Sequence, residues 1–329
     1  MEFSDLTRLA SGHVEARIVQ AAVQLGIFDC IGSQSMAAHS VASALGLHAR
    51  ATELLLNALA ALELLQKRDN RYSLAPVATK HLLRTSTQYL GGMICFDSSL
   101  WSCWEKLPEA IRSGQPVRPP NMYQDDPAQT ETFITAMDSL VKARGDAEVI
   151  ANIIDWSGIA ELLDVGSGPG TYPIELCRRF PRLRATIFDL PGTLRITERY
   201  VREVGMMERI RLIAGDYRND PIPGVYDSVF LSNIIHGEGE PDNALLVHRL
   251  VANLRPGGRL VIKDHILDDS GRTPPVGAIF SLQMLLTTES GRCYSFNEIK
   301  SWMEQAGLSK VQEIDLAAPL TSSLVIGTK

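Results

Sequence analysis

A glycine-rich segment in the second half of the chain has the composition of a ligand-binding loop. The apolar run at 162–165 contains Asp164 and leads directly into Gly-Ser-Gly-Pro-Gly. The glycines of this loop are Gly166, Gly168 and Gly170. Glycines at the end of a strand remove the Cβ atoms that would hold a ligand away from the backbone. The spacing is G-x-G-x-G, and Thr171 stands where a dinucleotide-binding fingerprint has its third glycine.

Acidic residues follow the next two predicted strands. The second strand leads into Asp189 and Leu190, and the third leads into Asp216 and Tyr217. Asp189 comes about 20 residues after the loop, the spacing at which an acid accepts hydrogen bonds from ribose hydroxyls. Asp216 is suited to accept from an adenine amino group, and Tyr217 to cover the ring. The pattern therefore predicts an adenosine-containing cofactor at this edge of a sheet.

A histidine follows the fourth predicted strand, which leads through Ser232 to His236. Its position puts it at the same sheet edge as the glycine loop. A neutral imidazole can take a proton from a hydroxyl near neutral pH, so we interpret His236 as a general base. The acids around Glu240-Pro-Asp-Asn are typical of a helix start, and no metal site is predicted.

The elements that must position these residues follow an alternating pattern. Strands are predicted at 159–165, 185–188, 210–214, 226–231 and 259–263, with helices at 171–180, 193–204 and 241–254 between them. Such alternation indicates a parallel sheet covered by helices on both faces. After a helix at 295–306, two further strands at 310–314 and 322–327 are expected to add an antiparallel hairpin to the sheet edge.

The first part of the chain is predicted to be helical. Helices at 14–25, 40–45 and 51–65, followed by a short β element near 68–74, have the outline of a winged helix. The helix at 51–65 is too apolar and acidic to enter a DNA groove, so we expect it to be buried against a second copy of the chain. A connection rich in proline at 113–127 and a helix at 127–156 follow. The predicted domains are therefore 1–112, 113–156 and 157–329.

Composition excludes several classes of function. The 329 residues carry a formal net charge of −6 with a pI near 5.7, which disfavours nucleic-acid binding. No apolar run is long enough to span a membrane, and no secretory signal is visible. The five cysteines have no metal or redox spacing. These features predict a cytoplasmic protein with reduced thiols.

The motifs at the strand ends are, in chain order, Asp-Val-Gly-Ser-Gly-Pro-Gly, Phe-Asp-Leu-Pro, Gly-Asp-Tyr, Asn-Ile-Ile-His and Leu-Arg-Pro-Gly-Gly-Arg-Leu-Val-Ile. In this order they resemble those of the metal-independent small-molecule O-methyltransferases, which include the plant caffeate type, hydroxyindole O-methyltransferase and bacterial tailoring relatives. The resemblance covers nearly the whole chain. It implies a class I methyltransferase sheet of Rossmann-like α/β type, a winged-helix-like N-terminal dimerisation domain and a homodimer. It also implies S-adenosylmethionine as cofactor and a small-molecule acceptor.

The resemblance assigns roles to individual residues. Asp164, Gly166, Gly168, Gly170, Asp189, Leu190, Asp216, Tyr217 and Ser232 match the cofactor site. His236 matches the general base, and Asp264 falls where plant members have a Glu that supports this base. Trp104, Met137, Phe280 and Met284 match the acceptor pocket. Two positions depart from the plant pattern: Gly237 replaces an Asp, and Cys293 replaces a second supporting acid.

Three alternatives stay open at the level of sequence. The first is an enzyme of the same fold that binds S-adenosylmethionine but catalyses decarboxylation, hydroxylation or a pericyclic reaction. The second is a nicotinamide-dependent oxidoreductase, which the missing third glycine disfavours. The third is a ligand-sensing regulator that binds DNA through the winged helix. The apolar segment around 276–287 favours a flat apolar or aromatic acceptor but does not identify it.

Overall fold

The structure is a computed structural model that describes residues 1–121 and 123–329, so Met122, in the predicted connection, lies outside the described residues. The chain forms two compact units. The first consists of Met1–Trp101 and Thr135–Gly145, and the second of Ser102–Ile134 and Asp146–Lys329. The domain boundaries after residues 112 and 156 stay a prediction.

The first unit has a winged-helix layout. Its helices are α1 (Phe3–Gln24), α2 (Ile27–Ile31), α3 (Ala38–Leu45), α4 (Ala49–Ala61), α5 (Pro76–His81) and α6 (Gly91–Ser99), and its strands are β1 (Met36–Ala37), β2 (Leu65–Arg68) and β3 (Arg71–Leu74). The strands form an antiparallel sheet in the order β1-β3-β2. Phe28, Leu56 and Tyr72 are buried together in the core between this sheet and the helices. This arrangement confirms the predicted N-terminal fold.

Four helices follow the N-terminal elements along the chain and precede the first strand of the large sheet: α7 (Trp101–Glu105), α8 (Leu107–Ser113), α9 (Pro127–Arg144) and α10 (Asp146–Ile153). The prediction of one continuous helix over 127–156 is wrong. Gly145 has a φ of +74°, the left-handed conformation typical of the residue that follows a helix, so α9 ends at Arg144 and α10 begins at Asp146. Helix α1 also begins at Phe3, well before the predicted start at residue 14.

The second unit is built on strands that alternate with helices. The strands are β4 (Glu161–Val165), β5 (Arg184–Asp189), β6 (Ile210–Ala214), β7 (Tyr226–Ser232), β8 (Leu254–Asp264), β9 (Ile266–Leu267), β10 (Tyr294–Ser295), β11 (Ser309–Asp315) and β12 (Ser323–Thr328). The helices are α11 (Thr171–Arg179), α12 (Pro191–Glu203), α13 (Glu240–Ala252), α14 (Pro275–Thr287) and α15 (Phe296–Gln305). Leu163, Val229 and Leu260 from three adjacent strands are fully buried in its core.

Seven of these strands form one sheet in the order β11-β12-β8-β7-β4-β5-β6. Strands β4 to β8 are parallel, whereas β12 runs antiparallel to both β8 and β11. This topology confirms the predicted class I sheet with a hairpin at its edge. The chain order reverses between β4 and β7, and open α/β sheets bind ligands at the carboxyl ends of strands beside such a reversal.

The parallel strands end at one edge of the sheet because their registers are closely matched. Val165 pairs with Phe188, Asp189 with Ala214, and Ser232 with Lys263. The predicted functional residues at the ends of β4 to β8 are therefore neighbours in space. No helix of the described residues is long and apolar enough to cross a membrane.

Candidate active site

The glycine loop between β4 and α11 needs glycine for its backbone conformation. Gly166, Gly168 and Gly170 have φ values of +66°, +60° and +78°, which side chains with a Cβ rarely adopt. A Cβ on Gly166 would also lie 2.3 Å from Cδ1 of Ile234 and 3.9 Å from Cε1 of Tyr217. The first glycine therefore lets the ends of β6 and β7 approach the loop closely.

Asp164 precedes the loop and is 1% exposed. The Ser167 hydroxyl donates to its Oδ2 at 2.6 Å, whereas its Oδ1 has no hydrogen-bond partner among the described residues. Burial raises the pKa of Asp164 to about 8, with the Ser167 hydrogen bond opposing the shift and the charge of Asp189 adding to it. A buried carboxylate oxygen without a donor is costly, and an ammonium or hydroxyl donor from a ligand would satisfy it.

Asp189 ends β5 next to the loop. Its Oδ2 accepts a hydrogen bond from the Gly168 amide at 2.8 Å, and its Oδ1 accepts from the Leu190 amide at 2.7 Å. Burial raises the pKa of Asp189 to about 6, although both amides oppose the shift. Leu190 is the residue before α12 and has extended backbone angles. The structure thus brings the second strand end into direct contact with the glycine loop.

The residues after β6 have different surroundings. Asp216 is half-buried, and its Oδ1 accepts a hydrogen bond from the Arg218 amide at 2.9 Å, so it shapes its own turn. Tyr217 lies beside the first glycine of the loop. Its hydroxyl donates to Oε1 of Glu238 at 2.7 Å, a contact that the sequence did not predict.

A buried ion pair supports the ends of β7 and β8. Lys263 and Asp146 are both fully buried, with Nζ and Oδ2 separated by 3.2 Å. Lys263 also donates to Oδ1 of Asn233 at 3.1 Å, and Asn233 has a left-handed φ of +57°. Ser232, the predicted cofactor residue just before it, donates to the same Asn233 oxygen at 3.2 Å. Lys263 thereby fixes the backbone turn on which Ser232 lies.

The two predicted catalytic residues, His236 and Asp264, are in direct contact. His236 Nδ1 lies 2.7 Å from Oδ1 of Asp264, and both residues are buried. Burial alone would raise the pKa of Asp264, but the charges and hydrogen bonds of His236 and His265 more than offset it, so the pKa is lowered. The ionised carboxylate accepts from Nδ1–H, which leaves Nε2 of His236 with the lone pair that a base needs.

The two departures from the plant pattern leave Asp264 as the carboxylate in contact with His236. Cys293 is buried, and burial together with the nearby charge of Asp264 raises the pKa of its thiol to about 12. A thiol with that pKa stays neutral at physiological pH. Gly237 has open space where a Cβ would point. Oδ2 of Asp264 has no hydrogen-bond partner among the described residues.

The predicted acceptor residues lie in different surroundings. The Phe280 ring on α14 has its centroid 4.8 Å from that of His236, edge to face, and 4.9 Å from that of His265. Met284 is buried on the same helix. Trp104 packs with Leu285 and Leu286 of α14 in a smaller apolar cluster. Met137 is half-buried in the part of α9 that belongs to the first unit, so its role in the pocket stays a prediction.

Three buried charged residues of this site were missed from the sequence: Glu238 and the pair Asp146 and Lys263. Lys263 interrupts the apolar run of β8, and a charged residue inside a buried strand was a signal that pointed to a partner. Glu238 lies in a short polar loop with the composition of many solvated turns, so no sequence pattern indicated its burial. Among the described residues, no group of three or more His, Cys, Asp or Glu side chains is arranged to hold a metal ion.

Comparisons with known proteins agree with this geometry. The family model described as the O-methyltransferase domain matches residues 108–309, and the one described as the O-methyltransferase dimerisation domain matches residues 7–84. A solved structure described as PigF with SAH has a TM-score of 0.90 and 25% sequence identity, with all of both chains covered.

Two curated relatives come from bacteria. The 3-hydroxy-5-methyl-1-naphthoate 3-O-methyltransferase of Streptomyces sahachiroi is 32% identical, over 98% of this chain and 94% of its own length. The tetracenomycin polyketide synthesis 8-O-methyl transferase TcmO of Streptomyces glaucescens is 30% identical, over 99% of this chain and 96% of its own length. These matches favour methyl transfer over the alternatives that the sequence left open. The chain therefore belongs to the family of S-adenosylmethionine-dependent O-methyltransferases.

Proposed function

We propose that this enzyme methylates a hydroxyl group of a small aromatic molecule and that His236 is the general base. The observation that carries this proposal is the 2.7 Å contact between Nδ1 of His236 and Asp264 at the sheet edge beside the glycine loop. The contact orients the imidazole and fixes its tautomer, so that Nε2 can take the acceptor's proton. Asp264 then stabilises the imidazolium that forms.

S-adenosylmethionine supplies an electrophilic methyl group on a sulfonium. We propose that the loop from Asp164 to Gly170 holds this cofactor, with Asp189 at its ribose and Asp216 and Tyr217 at its adenine. Ser232 and Leu190 complete the site. The unpartnered Oδ1 of Asp164 fits this proposal because the amino group of the cofactor's methionine part is a suitable donor.

The acceptor is proposed to be flat and aromatic. Phe280 offers a ring beside His236, and Met284 and Trp104 add apolar surface on or against α14. The two bacterial relatives are named for a hydroxynaphthoate and for a polyketide, which supports a fused-ring phenol as the acceptor class. The catalytic pair is buried, with His236 9% and Asp264 1% exposed, and we expect positioning of the two substrates to supply most of the rate enhancement.

The proposal is tested by following the methyl group. Purified enzyme is incubated with methyl-labelled S-adenosylmethionine and matched naphthalene acceptors that carry a hydroxyl, an amino group or neither. We expect label only in the hydroxyl compounds, as an ether identified by mass spectrometry. Transfer to the amino compounds alone would contradict the proposed acceptor chemistry.

We also propose that the enzyme is a homodimer that pairs through its N-terminal unit. The dimerisation family match covers residues 7–84. Helix α1 supports the proposal because it carries exposed apolar side chains at intervals of three to five residues. These side chains are Phe3, Leu6, Leu9 and Val14, with exposed fractions of 82%, 57%, 61% and 49%.

A further inference from the structure

Glu238 is a buried acid whose role the reaction described above does not explain. It directly follows the short 3-10 turn Ile235–Gly237 and comes two residues after His236. Its side chain is 10% exposed, although it lies in a loop. A carboxylate is costly to bury unless its oxygens accept hydrogen bonds, so its partners indicate what it holds in place.

Both partners of Glu238 come from the segment after β6. The Tyr217 hydroxyl donates to Oε1 at 2.7 Å, and Nε of Arg218 donates to the same oxygen at 2.8 Å. Burial, and then the charge of Glu238, raise the pKa of Tyr217 well above its ordinary value. The phenol therefore keeps its proton and remains a donor to the carboxylate.

The backbone of Glu238 is fixed independently of its side chain. Its carbonyl accepts from the Tyr294 hydroxyl at 2.6 Å and from Nδ2 of Asn243 at 3.3 Å. Asn243 also donates to the Ile235 carbonyl at 2.8 Å, so the turn that carries His236 is held at both ends. The carboxylate of Glu238 thus extends from a rigid turn toward a side chain beside the glycine loop.

The position of the Tyr217 ring makes this contact relevant to the cofactor. Cε1 of Tyr217 lies 3.9 Å from the point where a Cβ on Gly166 would lie, so the ring is against the first glycine of the loop. An aromatic ring that stacks on a base must keep its orientation to contribute fully. The Tyr217 hydroxyl lies at the far end of the ring, and it fixes the ring's orientation only if the carboxylate of Glu238 that accepts from it is itself fixed.

We propose that Glu238 is a positioning residue that fixes the Tyr217 ring at the cofactor's adenine and links this ring to the turn carrying His236. The inference rests on the proposed cofactor site. It assigns Glu238 an effect on cofactor affinity that acts through Tyr217, with no direct contact to the acceptor. If Glu238 only stabilised the fold, the effect of removing its carboxylate would not depend on the Tyr217 hydroxyl.

Four variants test the inference: Tyr217→Phe, Glu238→Gln, Glu238→Ala and the double variant Tyr217→Phe/Glu238→Ala. The affinity for S-adenosylhomocysteine is measured by calorimetry, and KM and kcat are measured with an acceptor. We expect Tyr217→Phe and Glu238→Ala each to weaken binding about tenfold, the effect of one hydrogen bond to a charged group. The double variant should bind no more weakly than Glu238→Ala alone.

The kinetic constants should separate positioning from general damage. KM for S-adenosylmethionine should rise in these variants while KM for the acceptor stays unchanged. Glu238→Gln should recover part of the lost affinity because its amide oxygen can still accept from Tyr217. Glu240→Gln is the matched control: it removes the same charge two residues further on, where the side chain is 59% exposed, and should bind like the wild type.

Failure of this inference differs from failure of the proposed function. If the wild type does not bind S-adenosylhomocysteine, the proposed cofactor site is wrong, and this inference falls with it. If the wild type binds but Tyr217→Phe or Glu238→Ala binds equally well, only the role of Glu238 is overturned. Losses that multiply in the double variant would also overturn it, because they would show that the two residues act independently.

Discussion

Asp164 and Asp189 place two buried carboxyl groups beside the glycine loop. Each has a raised pKa, about 8 and about 6, and in both burial is the largest cause. Asp189 receives two amide hydrogen bonds that favour its charged form, whereas Asp164 receives one hydroxyl hydrogen bond and has an oxygen without a partner among the described residues. The difference in donors explains why the pKa of Asp164 is the more strongly raised.

The raised pKa of Asp164 predicts a pH dependence of stability in the protein without cofactor. A carboxyl group whose pKa is higher in the folded than in the unfolded state, where it is about 3.9, stabilises the fold at low pH and loses this effect as pH rises through about 8. Between about pH 4 and pH 8, the free energy of unfolding should fall by up to about 1.4 kcal/mol per pH unit, and this decline should end above about pH 8.

Asp164→Asn isolates this contribution because an amide does not titrate. Urea unfolding of both proteins at several pH values should show a smaller decline for the variant than for the wild type. Asp189 remains in both proteins, and because its charge interacts with that of Asp164, the difference between the two slopes reports the titration of this pair. Equal slopes across this range would show that Asp164 is already ionised in the folded protein.

At the scale of elements, the site depends on sharp turns directly after buried strands. Strand β4 turns at Gly166 and β7 turns at Asn233, both with left-handed backbone angles. These turns bring residues from different strands together at one sheet edge. The glycine turn allows close packing of Ile234, and the Asn233 side chain is held by Lys263.

Gly166→Ala tests the turn after β4. The new Cβ would have a strained φ of +66° and would lie 2.3 Å from Cδ1 of Ile234. We expect the free energy of unfolding to fall by about 1–3 kcal/mol, the cost of one strained backbone position, and cofactor affinity to fall with it. Chemical denaturation and calorimetry with S-adenosylhomocysteine measure the two effects.

Gly158→Ala is the matched control for this substitution. Gly158 lies shortly before the same strand, but no atom lies within 4 Å of its Cβ position, and its φ is not left-handed. It should therefore retain wild-type stability and affinity. If both variants behave alike, the geometry of the first loop glycine is not what the site requires.

Most elements of the second unit could be predicted because apolar runs followed by glycine or acidic residues mark strand ends. The sequence placed Asp164, Asp189 and His236 at such ends, and the structure brings them to one edge. The break at Gly145 was missed because a single glycine inside a helical pattern is often tolerated. Glu238 and the Asp146–Lys263 pair were missed because their partners are distant in sequence and only the tertiary fold brings them together.

At the scale of the whole molecule, the first unit has the winged-helix layout found in nucleic-acid-binding domains, but several of its exposed side chains are apolar. Helix α4 buries Leu56 and Leu59 and leaves Leu54 58% exposed, so even its outer side is partly apolar. Together with the exposed apolar residues of α1, this surface favours contact with a second chain over contact with phosphate.

Substitution of both Leu6 and Leu9 by Asp should weaken the proposed dimer. Burial of either charge in the proposed interface would cost free energy because the carboxylate would lose its hydration. Sedimentation velocity should show a dimer for the wild type and a shift to monomer for the double variant. Leu245→Asp provides the control, since this leucine is 56% exposed on α13 of the second unit. A wild type that sediments as a monomer would contradict the proposed dimer.

The most direct test of the central claim compares His236→Ala with the wild type in two measurements on the same preparations. The affinity for S-adenosylhomocysteine should stay within about twofold, because His236 is proposed to contact the acceptor and not the cofactor. The single-turnover rate of methyl transfer to a phenolic acceptor should fall roughly 10²–10⁴-fold, the usual effect of losing a general base. An unchanged rate of transfer with unchanged affinity would show that His236 is not the base.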